Sequence, residues 1–189
     1  MKQKLFNLFA IIFLLIAIFL GYDGIDFDKN KDSSPQQNST EIIKKDGFKY
    51  SFSGIAEITD GDSIKIANYR VRLLGIDAPE MKQSCFDAQD QPYKCGEKSR
   101  EFLVNLADKK EVNCFYNGKD VYERYLAYCF VGKLSISNEI LKNGHGVIYS
   151  FKQALDEEVE LEKSAKNKKL GIWQGAFQLP KDYRKKQRK

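Results

Sequence analysis

Apolar and polar positions alternate through Tyr50–Ile58, "YSFSGIAEI", the two-residue period of a strand with one buried face. Two short β-rich runs, "SIKI" and "RVRLLGI", flank the break "ANY", and two more, "EVNCFY" and "RYLAYCFV", flank the turn-forming "NGKD". About five strands are predicted. The period then lengthens. "EKSREFLVNLAD" carries Phe102, Leu103 and Leu106 at helical spacing, "SISNEILKN" reads as a short helix stopped by Gly144, and "QALDEEVELEKSAKNKKLG" as a longer one closed by Gly171. Short strands with about three helices inserted or appended define an α+β class. A five-stranded, partly open β-barrel of the oligonucleotide-binding (OB) type leads among α+β arrangements, though the pattern alone does not select it.

The ends behave differently from this middle. Residues 1–22 are apolar from Leu5 to Tyr22 apart from Asn7, behind Lys2 and Lys4. Those 18 residues would span about 27 Å as a helix, close to the ~30 Å of a bilayer core. They read as a signal anchor or a cleavable signal peptide; Ala17 and Gly21 lack the spacing of a cleavage site, which favours the anchor. The leading lysines and the acidic "YDGIDFD" orient the rest of the chain outside the cytoplasmic membrane. Residues 23–46 have a linker's composition, residues 47–177 are expected to form the folded domain, and residues 178–189 are a basic run. That run, "PKDYRKKQRK", reads either as a solvated tail or as a contact for polyanions. Net charge is +5, from 31 Lys and Arg against 26 Asp and Glu, which favours anionic partners only mildly. No protein partner is inferred.

The four cysteines form no C-x-x-C pair, and a single histidine leaves too few good ligands for structural zinc. Disulfides fit an extracytoplasmic chain, with reduced thiols as the alternative. A hairpin centred between Val121 and Tyr122 sets Cys114 opposite Cys129, and Cys85 and Cys95 bracket a loop. The predicted pairs are 85–95 and 114–129, each contributing up to ~3 kcal/mol by restricting the unfolded chain.

Charge collects in "DGDS" (Asp60–Ser63), "RLLGIDAPE" (Arg72–Glu80) and "DVYERYLAY" (Asp120–Tyr128). Gly61 permits a tight turn that delivers Asp62, while Asp77 ends a strand and Pro79 carries the backbone on to Glu80. If these three carboxylates converge, they offer hard oxygen ligands suited to calcium or magnesium. Arg72 and Arg124 supply planar forks matched to phosphate oxygens, so a phosphodiester is the expected ligand. Arg70 shares a strand face with Arg72 and reads as a solvated residue. His145, in "KNGHGV", reads as a loop or capping residue, which leaves general-base work to a carboxylate.

Each of these stretches is ordinary alone. Together and in this order, from about Ile55 to Trp173 and including "NEILKNG" and "LGIW", they resemble the staphylococcal nuclease (thermonuclease) family. The resemblance implies an OB barrel carrying a calcium-dependent phosphodiesterase site that acts on DNA, RNA or both. It implies that Asp62 and Asp77 hold Ca²⁺ with the carbonyl of Ala78, and that Glu80 activates or orients water. Arg72 and Arg124 resemble the phosphate-binding pair, and Tyr122 and Tyr149 resemble tyrosines of the nucleotide pocket. Glu123 stands where many members have Gly, Val121 where a basic residue occurs, and Ser63 replaces a frequent Thr. The cysteine-bracketed insertion and "GAFQLPKDYR" are similar to an exported bacterial subgroup. The competing function is a non-catalytic nucleic-acid binder on the same barrel at the cell surface, against which the joint presence of Asp62, Asp77, Glu80, Arg72 and Arg124 argues. A disulfide-stabilised scaffold whose basic run meets lipid headgroups is a more distant third.

Overall fold

The computed structural model describes residues 47–188. The expected anchor (1–22) and linker (23–46) lie outside the described residues. Among the described residues no helix is long and apolar enough to cross a membrane.

Strands β1 (Tyr50–Asp60), β2 (Ser63–Ile66) and β3 (Tyr69–Leu73) form an antiparallel meander. The next two pieces, β4 (Ile76–Asp77) and a small ribbon of β5 (Cys85–Phe86) with β6 (Pro92–Tyr93), lead into helix α1 (Cys95–Ala107). Strands β7 (Glu111–Lys119) and β8 (Tyr125–Val131) then return. β7 pairs with β1 and β8 with β7, and β8 closes the circle by pairing in parallel with β3. The result is a closed five-stranded mixed barrel, the expected OB-type α+β fold. β9 (Leu134–Ser135) extends β8 and feeds α2 (Ile136–Lys142), whose first turn is capped by the Ser135 hydroxyl accepting from the Asn138 N–H. β10 (Val147–Ile148) pairs with β4, and α3 (Asp156–Asn167) packs on α2.

The alternation read in β1 is borne out where it matters, with Ala56 and Ile58 buried between exposed neighbours. They meet Ile64, Ile66, Val71, Leu73 and Val112 from the other strands and Leu103 and Ala107 from α1, in one continuous core. Each fully buried aliphatic side chain of that size is worth roughly 1.5–3 kcal/mol. Both disulfides form as expected: Cys85–Cys95 beside Ile172 and Val147, and Cys114–Cys129 across β7 and β8 within the barrel core.

Two expectations are corrected. "NGKD" is not the β7–β8 turn: the ladder slips one register at Asn117, between the pairs Tyr116↔Ala127 and Gly118↔Leu126, and both strands continue to Lys119 and Tyr125. The reversal is Asp120–Arg124, tied by the Asp120 carboxylate accepting from the Tyr122 and Arg124 N–H groups. The basic run, though largely exposed, is also not a disordered tail. Pro180–Gln187 is a fourth helix, α4, started by a proline at its first turn and ending in Arg184, Lys185 and Lys186, which suit the helix dipole.

Candidate active site

Arg72 comes from barrel strand β3, Asp62 and Arg124 from the turns between barrel strands, and Asp77 and Glu80 from β4 and the loop after it. The β1–β2 turn presents Asp62, which is 4% exposed, and β4 presents Asp77, 2% exposed. Burying two carboxylates is tolerable only with charged partners. Arg72 on β3 supplies them, with Nη1 paired to Asp62 Oδ2 and Nη2 donating to Asp77 Oδ1 at 2.8 Å. Asp62 is held further by the Ala78 N–H at 3.0 Å and the Ser63 hydroxyl at 3.1 Å. Burial pulls the Arg72 guanidinium below its ordinary pKa and the Asp77 carboxylate opposes that pull. Asp60, beside this group, is raised by burial, against the Gly61 N–H bond that lowers it.

Glu80 lies one short loop beyond. Its backbone is fixed on both sides by Gln83: the Gln83 N–H donates to the Glu80 carbonyl at 2.7 Å, and Gln83 Oε1 accepts from the Glu80 N–H at 3.2 Å. Gln83 is wholly buried and also donates to the Gln178 carbonyl, which ties this loop to the segment before α4. Gly96, at the start of α1, lies so close to the Glu80 carbonyl that no side chain fits between them.

Arg124, at the base of β8, is held through its Nε and Nη2 by Asp120 Oδ2 at 2.8 and 2.7 Å. Burial raises the Asp120 carboxyl, but the bonds from Arg124 and Tyr122 outweigh that and leave it below the usual range. Glu123 does not face the site; its carboxylate meets Lys119 at 3.0 Å on the outside of the turn. Arg70 is exposed, yet it donates to the Tyr122 carbonyl at 2.6 Å and so braces the same turn. His145 caps α2 through its N–H to the Ile140 carbonyl and stacks on Phe102, as a loop residue should.

These elements surround an open cavity of about 1110 Å³. Asp62, Arg72, Glu80, Arg124, Tyr122 and Tyr149 line it; Asp77 and Ala78 do not, and join the site through their bonds to Arg72 and Asp62. Tyr122 and Tyr149 are each more than half exposed, at the rim. The Tyr149 N–H donates to the Gly75 carbonyl, continuing the β4–β10 ladder in which Val147 stands opposite Asp77. Sequence reasoning missed Arg184. From α4 its Nη1 and Nη2 donate to Asp77 Oδ1 and Oδ2 at 2.9 and 3.0 Å, and Nη1 also reaches Glu80 Oε1 at 2.8 Å. Burial alone lowers its pKa, but the two carboxylates more than reverse this and push it up.

No group of three or more His, Cys, Asp or Glu side chains stands together as a ready metal cluster among the described residues. Asp62 and Asp77 are nevertheless hard oxygen donors aimed at a common positive charge, and Arg184 occupies the cationic position against Asp77 and Glu80. The donor chemistry fits a calcium- or magnesium-type ion, provided that guanidinium moves.

A barrel of this topology with acidic and arginine side chains around one cleft defines an OB-type domain with a charged cleft. A family model described as staphylococcal nuclease homologue matches residues 70–175. The chain therefore belongs to the staphylococcal nuclease family. It is 34% identical over 128 residues to a probable staphylococcal-like nuclease, CAN3, of rice, covering 67% of this chain and 31% of that one. It is 32% identical to the succinoglycan biosynthesis protein ExoI of Rhizobium meliloti (64% of this chain, 63% of that protein). It is 31% identical to an uncharacterized endonuclease of Haemophilus influenzae (63% and 64%). The alignments thus span between about a third and two thirds of these relatives' lengths. Asp62 and Arg184 lie on either side of the matched residues but fold onto them.

Proposed function

We propose that this chain is a metal-dependent nuclease that hydrolyses phosphodiester bonds of DNA, RNA or both. The observation that carries it is that Asp62, Glu80, Arg72 and Arg124 line one cavity, with Asp77 bonded to Arg72, on a domain of this family. The names of the rice and Haemophilus relatives, nuclease and endonuclease, agree with it.

Asp62 and Asp77, with the Ala78 carbonyl, would hold a divalent ion, for which calcium is our choice. When bound, such an ion supplies Lewis-acid charge at a phosphoryl oxygen. Arg124 offers guanidinium donors to the non-bridging oxygens, and Arg72 keeps the two aspartates oriented while adding positive charge beneath the phosphorus. Glu80, a partly solvated carboxylate clamped by Gln83 through its backbone, accepts the proton of the attacking water. Exposed Tyr122 and Tyr149 give the flanking bases stacking faces.

We place this activity outside the cytoplasmic membrane, tethered by residues 1–22 or released if they are cleaved. Two disulfides suit an oxidising compartment, and a calcium site of weak, millimolar-range affinity is usable there. Glu80→Gln tests the catalytic assignment. Cleavage of single-stranded DNA should fall by about 10²–10⁴-fold while binding of the same DNA persists; an active variant removes Glu80 from the chemistry, and a wild-type chain that binds but never cleaves is a nucleic-acid binder instead.

A further inference from the structure

Arg184 reaches Asp77 and Glu80 from a helix beyond the matched family residues. Its fork takes both Asp77 oxygens, and Oδ1 already accepts from Arg72. A divalent ion on Asp77 needs the same lone pairs. Arg72 engages only Oδ1, whereas the Arg184 fork adds Oδ2, so with Arg184 in place neither Asp77 oxygen is left for an ion, and a third positive charge there is repelled in a partly buried site. Entry of the ion therefore expels Arg184 from its present partners. The guanidinium cannot discharge by losing a proton, and with 29% of its side chain exposed it needs another anion. Arg72 and Arg124 line the same cavity, and the phosphodiester that the proposed function puts between them would be that anion.

We propose that Arg184 is a third substrate-directed arginine, parked on Asp77 and Glu80 until cation and phosphodiester arrive, and then transferred to the phosphate. The proposal rests on the nuclease function assigned above to the same site. The base of α4 is fixed independently by the bond from Gln83 to the Gln178 carbonyl and by Tyr183 Oη donating to the Lys82 carbonyl at 3.3 Å. One turn further on, Arg188 comes no closer than 3.5 Å to the Tyr122 hydroxyl. The arginine can therefore exchange partners while its helix stays docked.

Competition and transfer have opposite signatures in one variant. Calcium chloride is titrated calorimetrically into the full oxidised chain and into Arg184→Ala, with Arg184→Lys as a variant that keeps the charge and loses the fork. Binding of a five-nucleotide oligothymidylate is then measured in calcium, in chains also carrying Glu80→Gln so that the strand survives. Arg184→Ala should bind calcium roughly tenfold more tightly and the oligonucleotide roughly tenfold more weakly, with Arg184→Lys between. A damaged fold cannot tighten calcium binding, so the first result is not an artefact of instability. Equal or weaker calcium binding by Arg184→Ala overturns the proposal while leaving the nuclease assignment standing, as does unchanged oligonucleotide affinity. Absence of calcium binding from every chain overturns the metal assignment and this proposal with it.

Discussion

Glu123 shows how one residue can be displaced from a family pattern without damaging the chemistry beside it. Its backbone is left-handed, with φ of 60°, which explains why glycine suits the position, since an L side chain there costs about 1 kcal/mol or more. Its carboxylate turns outward to Lys119, an exposed pair of small value, rather than towards Arg124. Glu123→Gly should therefore raise stability by about 0.5–1 kcal/mol, read from urea unfolding, and leave DNA cleavage unchanged. Loss of cleavage would mean that Glu123 faces the phosphate after all. The residues in "DGDS", "RLLGIDAPE" and "YER" were legible because turn glycines and prolines fix where the carboxylates and arginines emerge. Arg184 was not, because its partner Asp77 is 107 positions away, nor was the tie from Gln83 to Gln178, 95 positions away, since no local pattern encodes such contacts.

Between elements, the close approach that matters most is α1 against the Glu80 loop. Gly96 abuts the Glu80 carbonyl while the neighbouring Cys95 is bonded to Cys85, so neither backbone can easily withdraw. Gly96→Ala should cost about 1–3 kcal/mol from overpacking and, by shifting Glu80, about 100-fold in cleavage rate. A variant that melts early but cleaves normally would show that Glu80 does not depend on this contact. The β7–β8 register was legible from the opposed Cys114 and Cys129, whereas the slip at Asn117 was hidden, because a one-residue bulge near a strand end barely disturbs alternation. Helix α4 was hidden for a different reason. "PKDYRKKQR" has no apolar stripe, and the helix is docked through hydrogen bonds at Gln178 and Tyr183, with ion pairs from Arg184 to Asp77 and Glu80 added, rather than through an apolar face. Pro180, Asp182 in the first turn and the late basic residues were its local signals.

At the scale of the whole molecule, the barrel, its appended helices and two disulfides present one cleft whose charges are balanced internally, arginine against carboxylate. Stability should depend on acid through a residue away from that cleft. Burial against Phe102 lowers His145 from 6.5 to about 4, with Glu101 opposing weakly. The unfolded chain then takes up a proton that the native state refuses. Its contribution is fully present above about pH 6.5 and is lost as pH falls through about 4, by about 2–3 kcal/mol in all. His145→Gln should flatten the fall in unfolding midpoint between those limits; an unaltered profile would assign the acid sensitivity to other groups.

The central claim is that Asp62 and Asp77 together hold a divalent ion on which phosphodiester cleavage depends. The most direct measurement is the cleavage rate of single-stranded DNA by the full oxidised chain in calcium, after chelation, and after calcium is restored. Cleavage should occur in calcium, stop on chelation while near-ultraviolet circular dichroism shows the fold intact, and return on restoration. Absence of cleavage by the folded protein in calcium, or an equal rate in chelator, would contradict the claim.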